Sequence, residues 1–394
     1  MSTLPTQLPN LQATAYGGER YEIPGPHRVR RIRLRLEDRS RATPPNGRFR
    51  GLPYRRLHTT VWFPAEPGFS LSPRVVAQGA PFPLVVYSHG FASSRAEVAS
   101  MAPHFASHGV IVVAADFPLS RTRAYGGKPT LLDVKNQAHD VGFLLNEMLR
   151  RNQDETSSFF GSIDPERIGA AGISLGATTT LLATYHKELH NPHIRAAVSI
   201  AGPTSMFGDG FFSRAVPLLH VHGERDALVY YDRNARPLLE RTGAWARLLT
   251  IEGASHTGFA HIPLEAFSLK VFGACVAPRG SHPEHADRLG CGVVLRALPK
   301  DLSFLRALPE LEYGIQAPDE TMPGDLSILA TPAVPPDHQR RIAINAALAF
   351  FIAQFAHESQ ERDAAQHFLE DTLATRVGVR LEQGRGPQLP AHMS

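Results

Sequence analysis

The sequence predicts an α/β fold, with a mostly parallel central sheet flanked by helices. Three observations predict it. Short apolar runs of strand length (84–88, 110–115 and 168–173) are bounded by Pro or Gly. Between them lie stretches with a 3.6-residue period, clearest in Leu131, Val134, Ala138, Val141, Leu144, Leu145 and Met148. Strands and helices alternate at the spacing of βαβ crossovers, which are built around parallel strands.

Composition agrees. A chain of 394 residues, 43% apolar, can bury a large core. No apolar run approaches the ~20 residues that span a bilayer. Residues 1–21 have neither a basic n-region nor an apolar h-region, so the expectation is a cytoplasmic protein with no transmembrane segment. Cys275 and Cys291 are the only cysteines, which excludes a disulfide scaffold and leaves their pairing open.

Taken in order, residues 1–20 read as a loose N-terminal arm rich in Pro, Thr and Gln, and 21–377 as one domain. Segments 27–39 and 54–64 read as antiparallel strands joined by a turn region at 41–47. Eleven arginines lie between His27 and Arg56 against only Glu37 and Asp38, a local +9 in a chain of net +4. They alternate with apolar residues through Arg31-Ile-Arg-Leu-Arg-Leu36, the period of a strand with one wet and one buried face. No aromatic residues interleave in the manner of nucleic-acid binders, so a solvated edge hairpin is expected and no nucleic-acid partner.

After the strand at 84–88, Ser94 and Glu97 are spaced as a capping box opening a helical stretch that closes at Gly109, with Pro103 kinking or dividing it. Strand 110–115 leads to Asp116. Thr130 and Asp133 mark the next helix start. A turn at Asp164-Pro165 precedes strand 168–173 and a helix over 175–189. Strands follow near 194–201, 216–222 and 246–252, with helices near 232–242 and 339–356. Residues 262–335 form a long Pro-rich insertion suited either to covering a pocket or to bracing the fold, and the tail 378–394 reads as mobile.

The chemistry centres on Gly172-Ile-Ser-Leu-Gly176, the G-x-S-x-G pattern of a serine on a sharp strand-to-helix turn. Only small residues two before and two after the serine allow so tight a turn. Such a pentapeptide also arises by chance in Gly/Ala-rich strand ends, so context decides. An acid candidate follows an apolar strand in Leu218-Leu-His-Val-His-Gly-Glu-Arg-Asp226. Glu224, Asp232 and Asp116 compete; Asp226 is preferred because loop N–H groups past a central strand end can hold it facing a histidine. A base candidate, His256, follows the next strand. The order Ser174, Asp226, His256, each at a strand end, is that of an α/β-hydrolase triad. Ser88-His-Gly-Phe91 follows the strand at 84–88, where an oxyanion loop belongs, and the N–H groups of Phe91 and Leu175 are the candidate donors. His220-Val-His222 puts two imidazoles on one side of a strand, but no third ligand has metal-site spacing, so no metal is expected.

The run Tyr87-Ser-His-Gly-Phe-Ala-Ser-Ser-Arg95, continuing through Phe105-Ala-Ser-His-Gly-Val-Ile-Val-Val113, resembles the plasma-type platelet-activating-factor acetylhydrolases and their bacterial relatives. Val61-Trp-Phe-Pro-Ala65, Gly172-Ile-Ser-Leu-Gly176 and Gly253-Ala-Ser-His-Thr-Gly-Phe259 add to the likeness, which spans roughly 27–260. Bacterial polyester hydrolases and dienelactone hydrolases are neighbours of that group. The resemblance implies an α/β-hydrolase fold and a cofactor-free serine esterase acting on a small-molecule ester, short- to medium-chain or phospholipid-like. It implies Ser174, Asp226 and His256 as triad, with Phe91 and Leu175 as oxyanion donors. The insertion at 262–335 departs from the family. The alternatives are a thioesterase or serine peptidase on the same triad, or a non-catalytic binding protein on a hydrolase scaffold.

Overall fold

The arginine-rich segment forms the edge hairpin that its alternation requires. Strands β1 (Arg28–Asp38) and β2 (Arg55–Ala65) pair antiparallel, with Ile32 opposite Val61 and Leu36 opposite Leu57. Leu36 is buried and Ile32 and Leu34 pack on the core, while Arg31, Arg33 and Arg35 stand in solvent. This computed structural model describes residues 18–65, 77–226, 228–260, 314–315 and 334–386. The expected arm therefore lies outside the described residues up to position 17, and Gly18–Tyr21 form a short 3₁₀ turn.

Strands β3 (Phe82–Ser88), β4 (Ile111–Asp116), β5 (Ile163–Ile173), β6 (Ile194–Ile200), β7 (Leu218–Gly223) and β8 (Ala246–Ile251) are mutually parallel. With the hairpin and β9 (Val379–Gln383) they make one sheet among the described residues, in the order β1-β2-β4-β3-β5-β6-β7-β8-β9. The parallel strands are near-continuous apolar runs because helices cover both faces. Helices α2 (Val134–Gln153) and α3 (Leu175–Tyr185) bury the 131–148 stripe against one face, together with Leu84, Val113 and Ile168. Helices α1 (Met101–Ser107) and α6 (Pro336–Phe355) bury Phe105, Phe350, Phe351 and Phe355 against the other, over Val85, Val112 and Val198. The expected helix near 232–242 is two single turns, α4 (Tyr231–Asn234) and α5 (Leu238–Arg241), with Pro237 at the start of the second.

Several local expectations need correction. Glu97 does not close a capping box: Ser94 caps a 3₁₀ turn at Arg95–Ala99 by accepting the Ala96 N–H, while the Glu97 side chain turns inward. That stretch divides at Ser100, and Pro103 sits in the first turn of α1, where its missing N–H costs nothing. Helix α3 stops at Tyr185 rather than 189, because the His186 ring accepts the N–H groups of Glu188 and Leu189 at 3.1 Å each and so offers the chain an alternative to helix. The tail expected from Gly378 instead supplies β9, antiparallel on β8, after helix α7 (Ser359–His367). Asp133, expected to help start α2, makes no cap bond; it pairs with the fully buried Arg55 at 2.9 Å, which Asp140 also holds at 2.5 Å.

The insertion at 262–335 falls outside the described residues except for Gly314, Ile315 and 334–335, and both Cys275 and Cys291 lie outside them. Ile315 makes a β-bridge to Phe207. Among the described residues no helix is long and apolar enough to cross a membrane.

The strand order fixes where a site can form. From β3 the chain crosses to β4 on one side, then returns to β5 on the other. In open parallel sheets a crevice opens beyond the strand ends at such a reversal. Ser88 at the end of β3 is in register with Gly172 at the end of β5, so the loops after these strands share that crevice.

Candidate active site

Ser174 occupies the turn from β5 into α3 with φ +53° and ψ −118°, a backbone conformation rarely adopted by a residue with a side chain. The surroundings leave no alternative. A Cβ on Gly172 would overlap the Gly176 carbonyl and stand 2.8 Å from Thr180 Oγ1. A Cβ on Gly176 would overlap the Ser88 carbonyl and stand 2.7 Å from the His89 oxygen. Both glycines are thus required sterically, and the turn lifts Ser174 out of the sheet while its N–H stays bonded to the Ile200 oxygen at 2.9 Å. Ser174 is half-buried amid buried neighbours, so its hydroxyl is reachable.

The other two residues arrive from β7 and β8. These strands run in register to Gly223 and Ile251, and the Arg225 N–H then bonds the Ala254 oxygen at 2.9 Å, which ties the two following loops together. His256 Nε2 lies 3.0 Å from Ser174 Oγ, and His256 Nδ1 lies 2.7 Å from Asp226 Oδ2. The other Asp226 oxygen accepts the N–H groups of Leu228 at 2.9 Å and Val229 at 2.7 Å. Asp226 is 2% exposed, shut off from water, so its charge acts on His256 at low dielectric. The serine, imidazole and carboxylate form one continuous hydrogen-bonded line, an arrangement that can draw a proton from the hydroxyl onto the ring.

The competing acids sit elsewhere. Asp116 binds Arg95, through both its backbone N–H and its guanidinium, and Arg121 at 3.4 Å. Glu224 faces Arg380 at 3.6 Å, and Asp232 is exposed on α4.

The loop after β3 is pinned on both sides of Gly90. The Gly90 N–H donates to Glu97 Oε2 at 2.9 Å. The Gly90 oxygen accepts from His89 Nδ1 at 2.8 Å and from the Ser93 N–H at 3.2 Å. His89 must be the Nδ1–H tautomer, because its Nε2 accepts the Phe117 N–H at 3.1 Å. Its complete burial holds its pKa below the usual imidazole value, which keeps that neutral form. In a planar trans peptide the C=O and N–H point opposite ways, so fixing the Gly90 carbonyl aims the Phe91 N–H away from His89. Leu175 opens α3, where the first N–H groups have no partner within the helix. Among the described residues neither the Phe91 nor the Leu175 N–H is bonded to another group.

His220 and His222 are wholly buried and bonded to each other, Nε2 to Nδ1 at 3.0 Å. His222 Nε2 faces the Val229 oxygen at 2.7 Å, so it donates, and its Nδ1 accepts from His220. His220 Nδ1 then accepts from the Ser199 hydroxyl at 3.0 Å. Every ring nitrogen is spent in this chain. Burial, above all, holds both rings below their usual pKa. His222 therefore braces the loop that carries Asp226, a part that the sequence pattern did not reveal. Gln339 of α6 was likewise missed. Its oxygen accepts the Ser255 N–H at 3.1 Å and its Nε2 donates to the Ser255 oxygen at 2.6 Å, fixing the residue before His256. No local pattern marks it, since it stands in the polar start Pro336-Asp-His-Gln-Arg-Arg341 of the helix.

Comparison with known proteins bears on the fold and on the broad class of relatives. A family described as PET hydrolase-like matches residues 75–267, a span running from before β3 to just past His256. No curated protein sequence matches the chain. Among solved structures, a ferulic acid esterase from Streptomyces cinnamoneus superposes with a TM-score of 0.51 at 20% identity, covering 84% of this chain and 91% of that one. At that identity the superposition speaks for the fold, an α/β-hydrolase fold. The family match relates the chain to the esterases and polyesterases of that fold, hydrolases that act on esters.

Proposed function

We propose that the chain is a serine carboxylic-ester hydrolase that works through an acyl-enzyme. Ser174 Oγ attacks the ester carbonyl while His256 Nε2 takes its proton. Asp226 holds the ring with its proton on Nδ1 and stabilises the imidazolium that forms. The negative charge that develops on the carbonyl oxygen is received by the N–H groups of Phe91 and Leu175. His256 returns its proton to the leaving alkoxide, then activates the water that releases the acid and frees Ser174. Every step uses groups of this chain and needs no cofactor.

The observation that carries this reading is the line from Ser174 through His256 to Asp226, at 3.0 and 2.7 Å, beside two N–H groups unengaged among the described residues. The substrates proposed are esters of short to medium acyl length, with polyester or phospholipid-like esters as the natural class. That class rests on the PET hydrolase-like match and on the likeness of the 87–113 run to acetylhydrolases. The test is Ser174→Ala, assayed on p-nitrophenyl acetate and on p-nitrophenyl esters of graded acyl length. The variant is expected to fold as the parent and to lose turnover on every ester; substantial turnover by folded Ser174→Ala would contradict the assignment.

A further inference from the structure

Glu97 is a buried acid that the mechanism above does not use. It is 7% exposed, sits beneath the loop after β3, and has no cation within ion-pair distance among the described residues. Its carboxylate has hydrogen-bond donors instead. Oε2 accepts the Gly90 N–H at 2.9 Å and the Tyr87 hydroxyl at 3.2 Å, and the Ser93 side chain is a further donor. A carboxyl without a countercharge at such depth costs stability, so a fold without use for it would place an apolar side chain there.

We infer that Glu97 is a positioning residue for ester hydrolysis, gripping the Gly90 N–H so that the next peptide presents the Phe91 N–H to the reacting carbonyl. The inference rests on the reading of Phe91 as an oxyanion donor. Two successive peptide planes meet at Gly90. Glu97 fixes the first through its N–H, and His89 fixes the second through its carbonyl. Glycine has no side chain to limit rotation, so without the Glu97 contact the first plane can turn against the second and leaves the second to the His89 and Ser93 bonds. Downstream, the Ala92 N–H on the Ser120 oxygen at 2.8 Å and the Thr122 N–H on the Ser93 oxygen at 2.7 Å hold the far end of the loop. Gly90 is then the remaining point of rotation, and Glu97 closes it.

The same carboxyl acts on the base through space. Of the titratable groups beside it, the neutral Tyr87 on β3 donates a hydrogen bond to it, and His256 in the loop after β8 acts on it through charge. Burial, as the largest cause, pushes Glu97 up to about 7, against the donors that lower it. Once ionised, its charge favours the His256 imidazolium.

Two variants separate these effects. Glu97→Ala removes the acceptor and is expected to lower kcat by about tenfold to a hundredfold, less than the loss of an oxyanion donor itself, with KM nearly unchanged. Glu97→Gln keeps an oxygen for the Gly90 N–H and is expected to recover most of that kcat. It is also expected to shift the upper part of the acid limb of the kcat/KM profile, at about pH 7 where Glu97 ionises, to lower pH, because the charge favouring the His256 imidazolium is gone. A purely structural role would lower the melting temperature and leave that limb in place. Wild-type kcat in folded Glu97→Ala would overturn the inference, as would a Glu97→Gln profile that coincides with the parent's. Should Glu97→Ala fail to fold, the Glu97→Gln profile decides alone. Turnover by Ser174→Ala would instead overturn the esterase mechanism itself, so the two failures are distinguishable.

Discussion

Replacing Asp226 by asparagine tests the hydrogen-bonded line at its most constrained point. The change keeps size and shape, so the fold should persist. What changes is which end of the side chain can accept. The Oδ1 position receives N–H groups from Leu228 and Val229 at 2.9 and 2.7 Å, so the amide oxygen must lie there. The amide NH₂ is then forced into the Oδ2 position, 2.7 Å from His256 Nδ1. Donor facing donor is excluded, so the ring adopts its other tautomer, with the proton on Nε2. That nitrogen lies 3.0 Å from Ser174 Oγ and can no longer accept the hydroxyl proton. A wrong tautomer in such a line costs about 10⁴-fold in kcat, or about 5.5 kcal/mol of barrier. The assay is p-nitrophenyl ester hydrolysis at about neutral pH, with circular dichroism to establish folding. Folded Asp226→Asn retaining activity within about tenfold of the parent would refute the reasoning.

Two further outcomes follow from the same geometry. Gly176→Ala drives a Cβ into the Ser88 carbonyl with only backbone around it to yield, so it should lower stability by about 3 kcal/mol or more and abolish turnover; a parental thermal melt and rate would show the turn to be less constrained than described. Glu97→Gln should gain stability relative to the parent as pH rises. The folded-state pKa of Glu97 is raised from 4.5 to about 7, so native Glu97 binds its proton more tightly than in the unfolded chain and loses that benefit between those values. The stability difference between Glu97→Gln and parent, read from urea melts at about pH 5 and about pH 8, should change by about 2–3 kcal/mol in favour of the variant at the higher pH, and parallel curves would contradict it.

What could be read in the sequence was set by local patterns strong enough to survive packing. The apolar runs 84–88, 110–115 and 168–173 became β3, β4 and β5 because strands covered on both faces have no other composition available. The stripe from Leu131 to Met148 is wholly buried, as its period requires. Ser174, Asp226 and His256 stand out as candidates in the sequence because each lies just beyond such a run, and the structure places them within hydrogen-bonding distance of one another.

What was not legible depended on partners distant in sequence. Glu97 stands three residues after Ser94, the spacing of a cap, but its carboxylate turns inward to accept the Gly90 N–H. His220 and His222 share one strand face, which reads equally as a metal pair; only Ser199 and Val229 from neighbouring segments determine the tautomers that bond them to each other. Strand β9 is five residues, Val-Arg-Leu-Glu-Gln, too short and charged to announce itself, and exists because it covers the edge of β8. Gln339 stands 84 positions after the Ser255 that it holds, and no local pattern links the two.

The most direct measurement is to treat the folded protein with a fluorophosphonate and locate the adduct by mass spectrometry while following esterase activity. A single adduct on Ser174, formed in step with loss of turnover and absent in Ser174→Ala, is the expected result. No adduct, or inactivation with the adduct on another residue, would contradict Ser174 as the nucleophile.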